Sequence, residues 1–391
     1  MMQRAPIAGI LACLVASLIA PVSHLSASHC AWTIVPTPNP GGKETFLTDI
    51  DGVGEDLWAV GSYTKYRQPT RTLVEHLTPD GWQVVSSPNL NRRSNALAGV
   101  RYLAAGDVWA VGTAEVKGGG ARNLMIHWSG VRWEKVAAPS SGRGAEGLFA
   151  LDAAPATEIS DPLADRKMWA VGASTNLRGG NARGMVLHYD GSSWSIQELP
   201  TIDQTYELRS VVAFSDTDVW ATGPLDISGT GRPLVMHYDG TAWSRVVTPN
   251  PGVGKGGATL LSIAGEGPSD LYVAGFLGSG DSLVMHFDGT AWTVEPTPAH
   301  QGESFDGLQA VDTQPSGDVW TAGFSIPGSF DFRTLVHYRT ADGSWTSEAA
   351  PNPAYLNALV SVLALDGGPI WAAGIRVRRD GPLRNLLIRC G

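Results

Sequence analysis

The sequence predicts an all-β protein, a seven-bladed β-propeller with four-stranded antiparallel blades in which the N-terminal strand completes the last blade. Three observations predict this fold. A short apolar frame centred on an aromatic residue occurs seven times, a second Trp follows six of these frames, and a further Trp lies near the N-terminus. The composition agrees, because 47 Gly, 25 Pro and 14 Trp with 43% hydrophobic residues are typical of a β-rich chain with many turns.

The first aromatic column marks the second strand of each blade. In the first repeat it lies in residues 57–61, Leu-Trp-Ala-Val-Gly. The column consists of Trp58, Trp109, Trp169, Trp220, Tyr272, Trp320 and Trp371. Its average spacing of about 52 residues is the length of one four-stranded blade. We therefore predict one propeller domain over residues 29–391.

The fourth repeat illustrates the predicted blade. Strand A lies around Leu208–Phe214, strand B at Val219–Gly223, strand C at Leu234–Tyr238 and strand D at Trp243–Val247. Asp239-Gly240 between two apolar runs indicates a tight hairpin between strands C and D.

The second Trp column predicts how the ring closes. It comprises Trp82, Trp133, Trp194, Trp243, Trp292 and Trp345, and the segment that contains Trp32 supplies the missing seventh strand D. On this alignment Cys390 takes the position of Tyr238 and Cys30 that of Thr241, on the two sides of the C–D turn. Residues that face each other across a hairpin have Cα atoms about 5.5 Å apart, a distance that a disulfide accepts. We predict a Cys30–Cys390 disulfide in place of that turn.

The first 28 residues are typical of a secretory signal peptide. Arg4 precedes an apolar run, Ile7–Val22, and the small residues Ser26, Ala27 and Ser28 follow it. An uncleaved anchor is the alternative, but the run is short for a bilayer span. We predict a secreted or cell-surface chain of residues 29–391 with no membrane span. Cys13 would leave with the signal peptide.

The repeats resemble those of known propellers. Residues 107–112, Asp-Val-Trp-Ala-Val-Gly, and residues 237–240, His-Tyr-Asp-Gly, followed by Trp243, resemble the repeats of secreted bacterial propellers of the kelch and tectonin-like kind. The resemblance covers nearly all of residues 29–391. It implies a propeller fold and a habit of binding, and it implies no particular reaction.

Charge and motifs argue against several functions. The formal net charge is −9, with Lys and Arg scattered among more numerous acids, so we expect no nucleic-acid partner. The sequence holds no nucleophile elbow, zinc-protease motif or phosphate loop, so we expect no cofactor and no metal site. One position of strand C holds His76, His127, His188, His237, His286 and His337. Because equivalent positions lie around a wide ring, we interpret these His as structural.

Variable loops indicate the binding face. The B–C loops and the D–A connections open on one face of a propeller, and here both are long and varied, as binding loops usually are. Aromatic candidates in or beside them are Tyr66, Tyr206, Phe305, Phe330 and Tyr355.

An arginine column lies on the same face. It consists of Arg71, Arg122, Arg183, Arg232, Arg333 and Arg384, two residues before strand C. These guanidinium groups could form a rim for anionic ligands. The alternative is that they pair with acids before strand A, such as Glu44 and Glu207.

The leading functional hypothesis is a non-catalytic, monomeric binding or scaffold propeller that recognises an extracellular glycan or protein through this face. One alternative is a polysaccharide-active hydrolase or lyase that uses a carboxylate pair, Asp203 with Glu207 or Glu303 with Asp306. Another is a purely structural envelope protein.

Overall fold

A computed structural model describes residues 29–154, 166–176, 181–227, 230–298, 304–328 and 331–391. These residues form 28 β-strands, and none of them lies in an α-helix. In the same residues there is no helix of the length and apolarity that crossing a bilayer requires. The all-β prediction is confirmed.

The strands repeat in the predicted order A, B, C and D. The A strands β2, β6, β10, β14, β18, β22 and β26 span Glu44–Val53, Asn95–Ala104, Ala145–Ala153, Ser210–Ser215, Ala258–Gly267, Ser304–Thr313 and Leu356–Ala364. The B strands β3, β7, β11, β15, β19, β23 and β27 span Asp56–Thr64, Asp107–Glu115, Met168–Thr175, Asp218–Leu225, Asp270–Leu277, Val319–Pro327 and Ile370–Val377. The C strands β4, β8, β12, β16, β20, β24 and β28 span Arg71–Thr78, Ala121–Trp128, Arg183–Tyr189, Arg232–Tyr238, Ser282–Phe287, Arg333–Arg339 and Leu383–Cys390. The D strands β1, β5, β9, β13, β17, β21 and β25 span Trp32–Ile34, Gly81–Val84, Trp133–Lys135, Trp194–Ile196, Trp243–Val246, Trp292–Val294 and Trp345–Glu348.

The strands form antiparallel sheets around a common axis. Five sheets have four strands in the order A-B-C-D, and a sixth has eight strands in the order β26-β27-β28-β2-β3-β4-β5 with β1 on β28. One parallel pair, Glu44 with Leu383, joins the two halves of this larger sheet. Residues of all the A strands line one central channel. The sheets are therefore the blades of a β-propeller.

The N-terminal strand completes the sheet of the C-terminal strands, as the sequence predicts. Strand β1 pairs antiparallel with β28 through Trp32 and Cys390. A disulfide joins Cys30 to Cys390 with a Cα–Cα distance of 5.7 Å, so the predicted bond is confirmed. The expected register is corrected, because the direct cross-strand partner of Cys390 is Trp32 and Cys30 lies two residues before it.

Pairs of Trp hold neighbouring blades together. A Trp on strand B packs edge-on against the strand D Trp of the next repeat around the ring, with ring centroids 5.5 to 6.2 Å apart. The pairs are Trp58–Trp133, Trp109–Trp194, Trp169–Trp243, Trp220–Trp292, Trp320–Trp32 and Trp371–Trp82. Each contributes about 1 kcal/mol beyond the area it buries. The last two pairs cross the junction of the chain ends with the same geometry as the others.

A β-bulge interrupts strand A after a buried Leu. These leucines are Leu47, Leu97, Leu148, Leu208, Leu260, Leu308 and Leu359, all nearly inaccessible. The register between strands A and B shifts after each of them except Leu208, which precedes β14. The Gly of the apolar frame makes this possible. A Cβ on Gly61 would lie 2.1 Å from the Phe46 carbonyl oxygen, so only Gly permits the close approach.

Candidate functional site

The residues that follow the buried leucines converge on the central channel. Bulges re-aim side chains, and in six of the seven repeats the bulge directs this residue toward the axis, whereas Arg209 of the fourth repeat lies just before β14. We name these side chains the bulge ring: Thr48, Ala98, Phe149, Arg209, Leu261, Gln309 and Val360. They line both an outer compartment of about 390 Å³ and an inner one of about 350 Å³. None was among the residues that the sequence predicted for binding.

The outer compartment, the channel mouth, is mostly apolar. Strand A begins where a D–A connection ends, so the mouth opens on the face of the B–C loops and D–A connections. The Arg209 guanidinium lies over the Phe149 ring at 4.3 Å and forms an ion pair of 2.5 Å with Glu207. Gln309 and Thr48 add polar groups to the wall. An apolar cavity with a few fixed polar groups is typical of small-molecule sites.

The inner compartment holds a group of charged side chains at one level of the channel. Asp51, Arg101, Asp152 and Asp312 occupy equivalent positions, each opposite the first aromatic column. Arg101 contacts the Asp152 carboxylate at 2.8 Å and the Asp51 carboxylate at 3.4 Å.

The same carboxylates connect neighbouring blades. Asp51, Asp152 and Asp312 accept the backbone N–H groups of Tyr102, Ala213 and Ala364 at 2.7 to 2.8 Å. Each of these amides belongs to the next A strand. This set of acids therefore stabilises the ring from inside the channel.

Enclosure in the channel changes the ionisation of these acids. Burial raises the pKa of Asp312 to about 7, against the opposing effects of its backbone hydrogen bonds and of Arg101. Burial likewise raises the pKa of Asp49 to about 6, although Val100 N–H and the Ser361 hydroxyl donate to its carboxylate. The pKa of Asp152 is also raised by burial, and Arg101 limits the shift. The charge of the channel thus changes between pH 5 and 8.

Most of the predicted arginine column binds backbone carbonyls. Arg71 donates to the carbonyl of Arg93 at 3.0 Å, and Arg183 to that of Ile202 at 2.7 Å. Arg122 and Arg384 donate in the same way to Gly144 and Gly41. In each case the acceptor lies in the following D–A connection. These four side chains therefore fix the connections of the loop face.

The two other arginines and the proposed acid partners behave differently. Arg232 and Arg333 are exposed, and Arg333 forms an ion pair of 3.3 Å with Asp331. The acids suggested by the sequence bind other residues, since Glu44 pairs with Lys43 and Glu207 with Arg209. The expected pairing of the column with these two acids is wrong, because the guanidinium groups reach the nearer carbonyls.

The predicted aromatic candidates lie in different environments. Tyr66 is 72% exposed, and Tyr355 is partly exposed with the Arg379 guanidinium over its ring. Tyr206 is buried in the core between two blades, where Gly184 leaves room for its ring, so it cannot serve as an exposed contact. Phe330 lies outside the described residues.

Phe305 belongs to an aromatic cluster that the sequence did not reveal. Its ring lies 5.1 Å from that of Phe276 and 5.9 Å from that of Phe324, which in turn lies 5.4 Å from Phe332. All four rings are partly exposed near strand ends on the loop face. They form an apolar surface beside the channel mouth.

Four members of the His column have the structural role that the sequence indicates. The Asp56 carboxylate accepts a hydrogen bond of 3.2 Å from the Trp58 indole N–H. It forms a second hydrogen bond, of 2.8 Å, with His76 Nε2. The His76 ring also stacks on Trp58 with centroids 4.1 Å apart. The same Asp–His contact occurs in Asp107–His127, Asp218–His237 and Asp270–His286.

His337 is an exception, and its assignment to this column is wrong. In the sixth repeat Trp320 faces Tyr338, whose hydroxyl donates to Asp318 at 3.0 Å. His337 faces Thr321 and is buried, and this burial lowers its pKa to about 4. The His-Tyr dipeptide lies one residue closer to the start of strand C here than in the other repeats.

Of the two candidate carboxylate pairs, only Asp203 with Glu207 lies wholly within the described residues. Glu207 binds Arg209, whereas Asp203 offers its backbone carbonyl to Arg183. Glu303 lies outside the described residues. Within the part of the chain that the structure describes, no group of three His, Cys, Asp or Glu is arranged to hold a metal ion.

Comparisons with known proteins bear on the fold. No family model and no curated protein sequence matches this chain. Among solved structures, a protein of unknown function from Dyadobacter fermentans is similar at 11% identity, with a TM-score of 0.51 over 93% of this chain and 98% of that one. A six-bladed fucose-recognising lectin from the fungus Aleuria aurantia is 10% identical, with a TM-score of 0.49 over 81% of this chain and 99% of that one. The chain is thus a β-propeller whose fold is similar to that of the Dyadobacter protein.

Proposed function

We propose that the protein is a non-catalytic, secreted or cell-surface propeller that binds a glycan at the channel mouth. The observation that carries this proposal is the bulge ring. Seven equivalent positions of a regular scaffold present seven different types of side chain to a cavity of about 390 Å³. Variable side chains on a rigid frame are the usual construction of a binding site.

The chemistry of the mouth suits a sugar. A pyranose ring has apolar C–H faces that pack on aromatic rings and hydroxyl groups that need hydrogen-bond partners. Phe149 is partly exposed, so a sugar could pack on the part of its ring that Arg209 leaves accessible, and the Arg209 guanidinium over the ring adds a cation. Gln309 in the same wall can donate and accept hydrogen bonds, and Thr48, whose hydroxyl donates to the Val60 and Leu97 carbonyls, can still accept one.

Exposed aromatic residues would extend contact with a longer ligand. Tyr66 and Tyr355 are accessible on the loop face, and the cluster of Phe276, Phe305, Phe324 and Phe332 is partly exposed there. A chain of several sugars lying across the mouth would reach some of these rings. The loop face is therefore our proposed binding face.

We further propose that the ring has seven blades. The eight-stranded sheet divides at its single parallel pair into two groups of four strands, each in the order A-B-C-D. Seven buried leucines precede the channel-facing residues, and Trp371 packs on Trp82 as other Trp pairs do between consecutive blades. The larger sheet then corresponds to the first and last blades, side by side.

Export is part of the proposal. Residues 1–28 have the composition of a signal peptide. The Cys30–Cys390 bond supports an oxidising destination, because such bonds persist outside the reducing cytosol. Secretion would be tested by N-terminal sequencing of the protein recovered from the culture medium or the cell surface.

The binding proposal is tested by a glycan array with residues 29–391, followed by calorimetry on the best ligand. Arg209→Gln removes the cation that lies over Phe149, so we expect affinity to fall at least about tenfold. Arg245→Gln is the matched control, because Arg245 is exposed on strand D of the same repeat and far from the channel. It should bind like the unaltered chain.

Three results would contradict the proposal. Equal affinity of the Arg209 and Arg245 variants would remove the channel mouth from recognition. Shortened products after incubation with acidic polysaccharides would instead support the hydrolase or lyase alternative. A chain that neither binds nor cleaves any glycan would support a structural role.

A further inference from the structure

A second pocket lies in the last repeat, beside the channel mouth. It has a volume of about 330 Å³ and is lined by Asn39, Arg376, Arg378, Pro382 and Arg384. Strand B, the B–C loop and the start of strand C contribute four arginines between residues 376 and 384, against one acid, Asp380. This is a concentrated positive charge in a protein whose net charge is −9.

Two of these arginines lie directly opposite each other. Arg376 on β27 is the cross-strand partner of Arg384 on β28. Like charges in this position destabilise a sheet. The partners of the equivalent arginines carry no charge: they are Tyr63, Ala114, Ser174, Leu225 and Ser325. The last repeat is therefore the exception among the repeats that have this arginine.

Nothing among the described residues neutralises this group. Arg376, Arg378, Arg379 and Arg384 take part in no ion pair with an acid in that part of the chain. Arg384 donates to the carbonyl oxygen of Gly41 at 2.6 Å, and Arg379 lies over the Tyr355 ring at 4.8 Å. Both contacts hold the side chains in place and leave their charges uncompensated.

We propose that this pocket binds an oxyanion, the sulfate or carboxylate group of an acidic glycan. Guanidinium groups bind such groups with two parallel hydrogen bonds, so an oxyanion between Arg376 and Arg384 would satisfy both and remove their repulsion. Asn39 is fixed in the wall, because its Oδ1 accepts the Asn385 N–H and its Nδ2 donates to the Thr37 carbonyl.

The glycan part of this inference rests on the proposed function and deepens it. Ile375 and Leu383 line the channel mouth, and the next residues along the chain, Arg376 and Arg384, line the pocket. One acidic oligosaccharide could occupy the mouth with a neutral sugar and the pocket with a charged one. Tyr355, under Arg379, lies beside the same loop and offers a further ring surface.

The pocket itself is tested first with inorganic sulfate at constant ionic strength, read out as the melting temperature of residues 29–391. Sulfate in place of chloride should raise the melting temperature of the unaltered chain and of Arg245→Gln equally, and that of Arg376→Gln much less. Arg376→Gln without sulfate should be at least as stable as the unaltered chain, since it removes the repulsion. If it does not fold, Arg378→Gln, in an exposed position, replaces it.

The glycan is tested second, with hexasaccharides of chondroitin sulfate and of hyaluronan, which carries carboxylates only, and with a neutral maltohexaose. We expect at least one acidic hexasaccharide to bind. Arg376→Gln should lower the affinity for that hexasaccharide at least about tenfold. Sulfate stabilisation that depends on Arg376 without glycan binding would keep the pocket and refute the glycan function. Sulfate and hexasaccharide responses that are the same in Arg376→Gln and Arg245→Gln would overturn the pocket.

Discussion

The propeller uses repeated positions in opposite ways at its axis and at the places where strands B begin and strands C end, which we call the rim. At the rim, strand C places a His against an Asp that precedes strand B, with nearly the same distances of 2.7 to 2.9 Å in four repeats. At the axis, the bulge ring places seven different side chains at equivalent positions. The backbone is equally regular in both places. The residue types repeat at the rim and differ at the axis.

The difference separates construction from recognition. An Asp that already accepts from an indole N–H and a His has little capacity left for a ligand, so the rim stabilises the blade. The bulge ring faces a cavity, and the blades do not require a particular residue type there. Regular positions therefore build the ring, and irregular ones give it a specific surface.

The largest effect should come from removing the close approach between the Gly of an apolar frame and the segment that carries a residue of the bulge ring. A Cβ on Gly223 would lie 2.1 Å from the Glu207 carbonyl oxygen, next to the strand segment that carries Arg209. We expect Gly223→Ala to lower the free energy of unfolding by about 3 kcal/mol, measured by urea denaturation, and to weaken glycan binding.

Gly81→Ala is the control for this substitution. Gly81 has a positive φ of 95° in the first C–D hairpin, and its Cβ would meet nothing within 4 Å. Gly81→Ala should lower the free energy of unfolding by about 1 kcal/mol and leave glycan binding unchanged. Equal costs for the two variants would show that backbone conformation, and not the contact with strand A, explains these glycines.

A smaller effect is expected at the rim. Asp107 accepts from Trp109 and contacts His127 at 2.8 Å, and its side chain is only 4% exposed. Asp107→Ala leaves the buried Trp109 indole N–H and the partly buried His127 ring without this partner, which should lower the free energy of unfolding by about 2 kcal/mol. Asp270→Ala should cost less than about 1 kcal/mol, because the Asp270 side chain is 48% exposed and the aromatic residue of its frame, Tyr272, has no indole N–H to donate. A larger loss at Asp270 would reverse this interpretation of the column.

Repetition made the blades predictable from the sequence. The frame residues and the Asp-Gly turns recur at similar offsets, so strand order and the closing strand followed from counting. Cys30 and Cys390 could be paired because each aligned with a position in a complete repeat. His337 was assigned wrongly for the same reason. His337 and Tyr338 form the same His-Tyr dipeptide as in other repeats, but strand C of this repeat starts one residue later relative to strand B.

The channel could not be predicted in the same way. Its seven wall residues share no residue type, and the bulge shifts the alternation of strand A by one position. The one signal in the sequence is the Leu that precedes each of them. Tyr206 also depended on packing, because its burial requires the space that Gly184 leaves in another strand.

Ionisation inside the channel offers a further test of the axis. Burial raises the pKa of Asp312 to about 7, well above the value of about 3.9 in an unfolded chain. The folded state therefore binds this proton more tightly. Protonated Asp312 therefore contributes to the stability of the folded state. This contribution is fully present below about pH 4 and is lost as the pH rises through about 7. His337 acts in the opposite direction, since burial lowers its pKa to about 4 and its neutral form is favoured on folding.

The contribution of Asp312 is isolated by comparing the unaltered chain with Asp312→Asn. Asn keeps a carbonyl oxygen for the Ala364 N–H but does not titrate. Going from pH 4.5 to pH 8, the variant should gain about 2 kcal/mol in free energy of unfolding relative to the unaltered chain, measured by urea denaturation at both values. A difference that does not change with pH would mean that water in the channel solvates Asp312 as well as bulk solvent does. The acids of the inner compartment would then act only as hydrogen-bond acceptors between A strands.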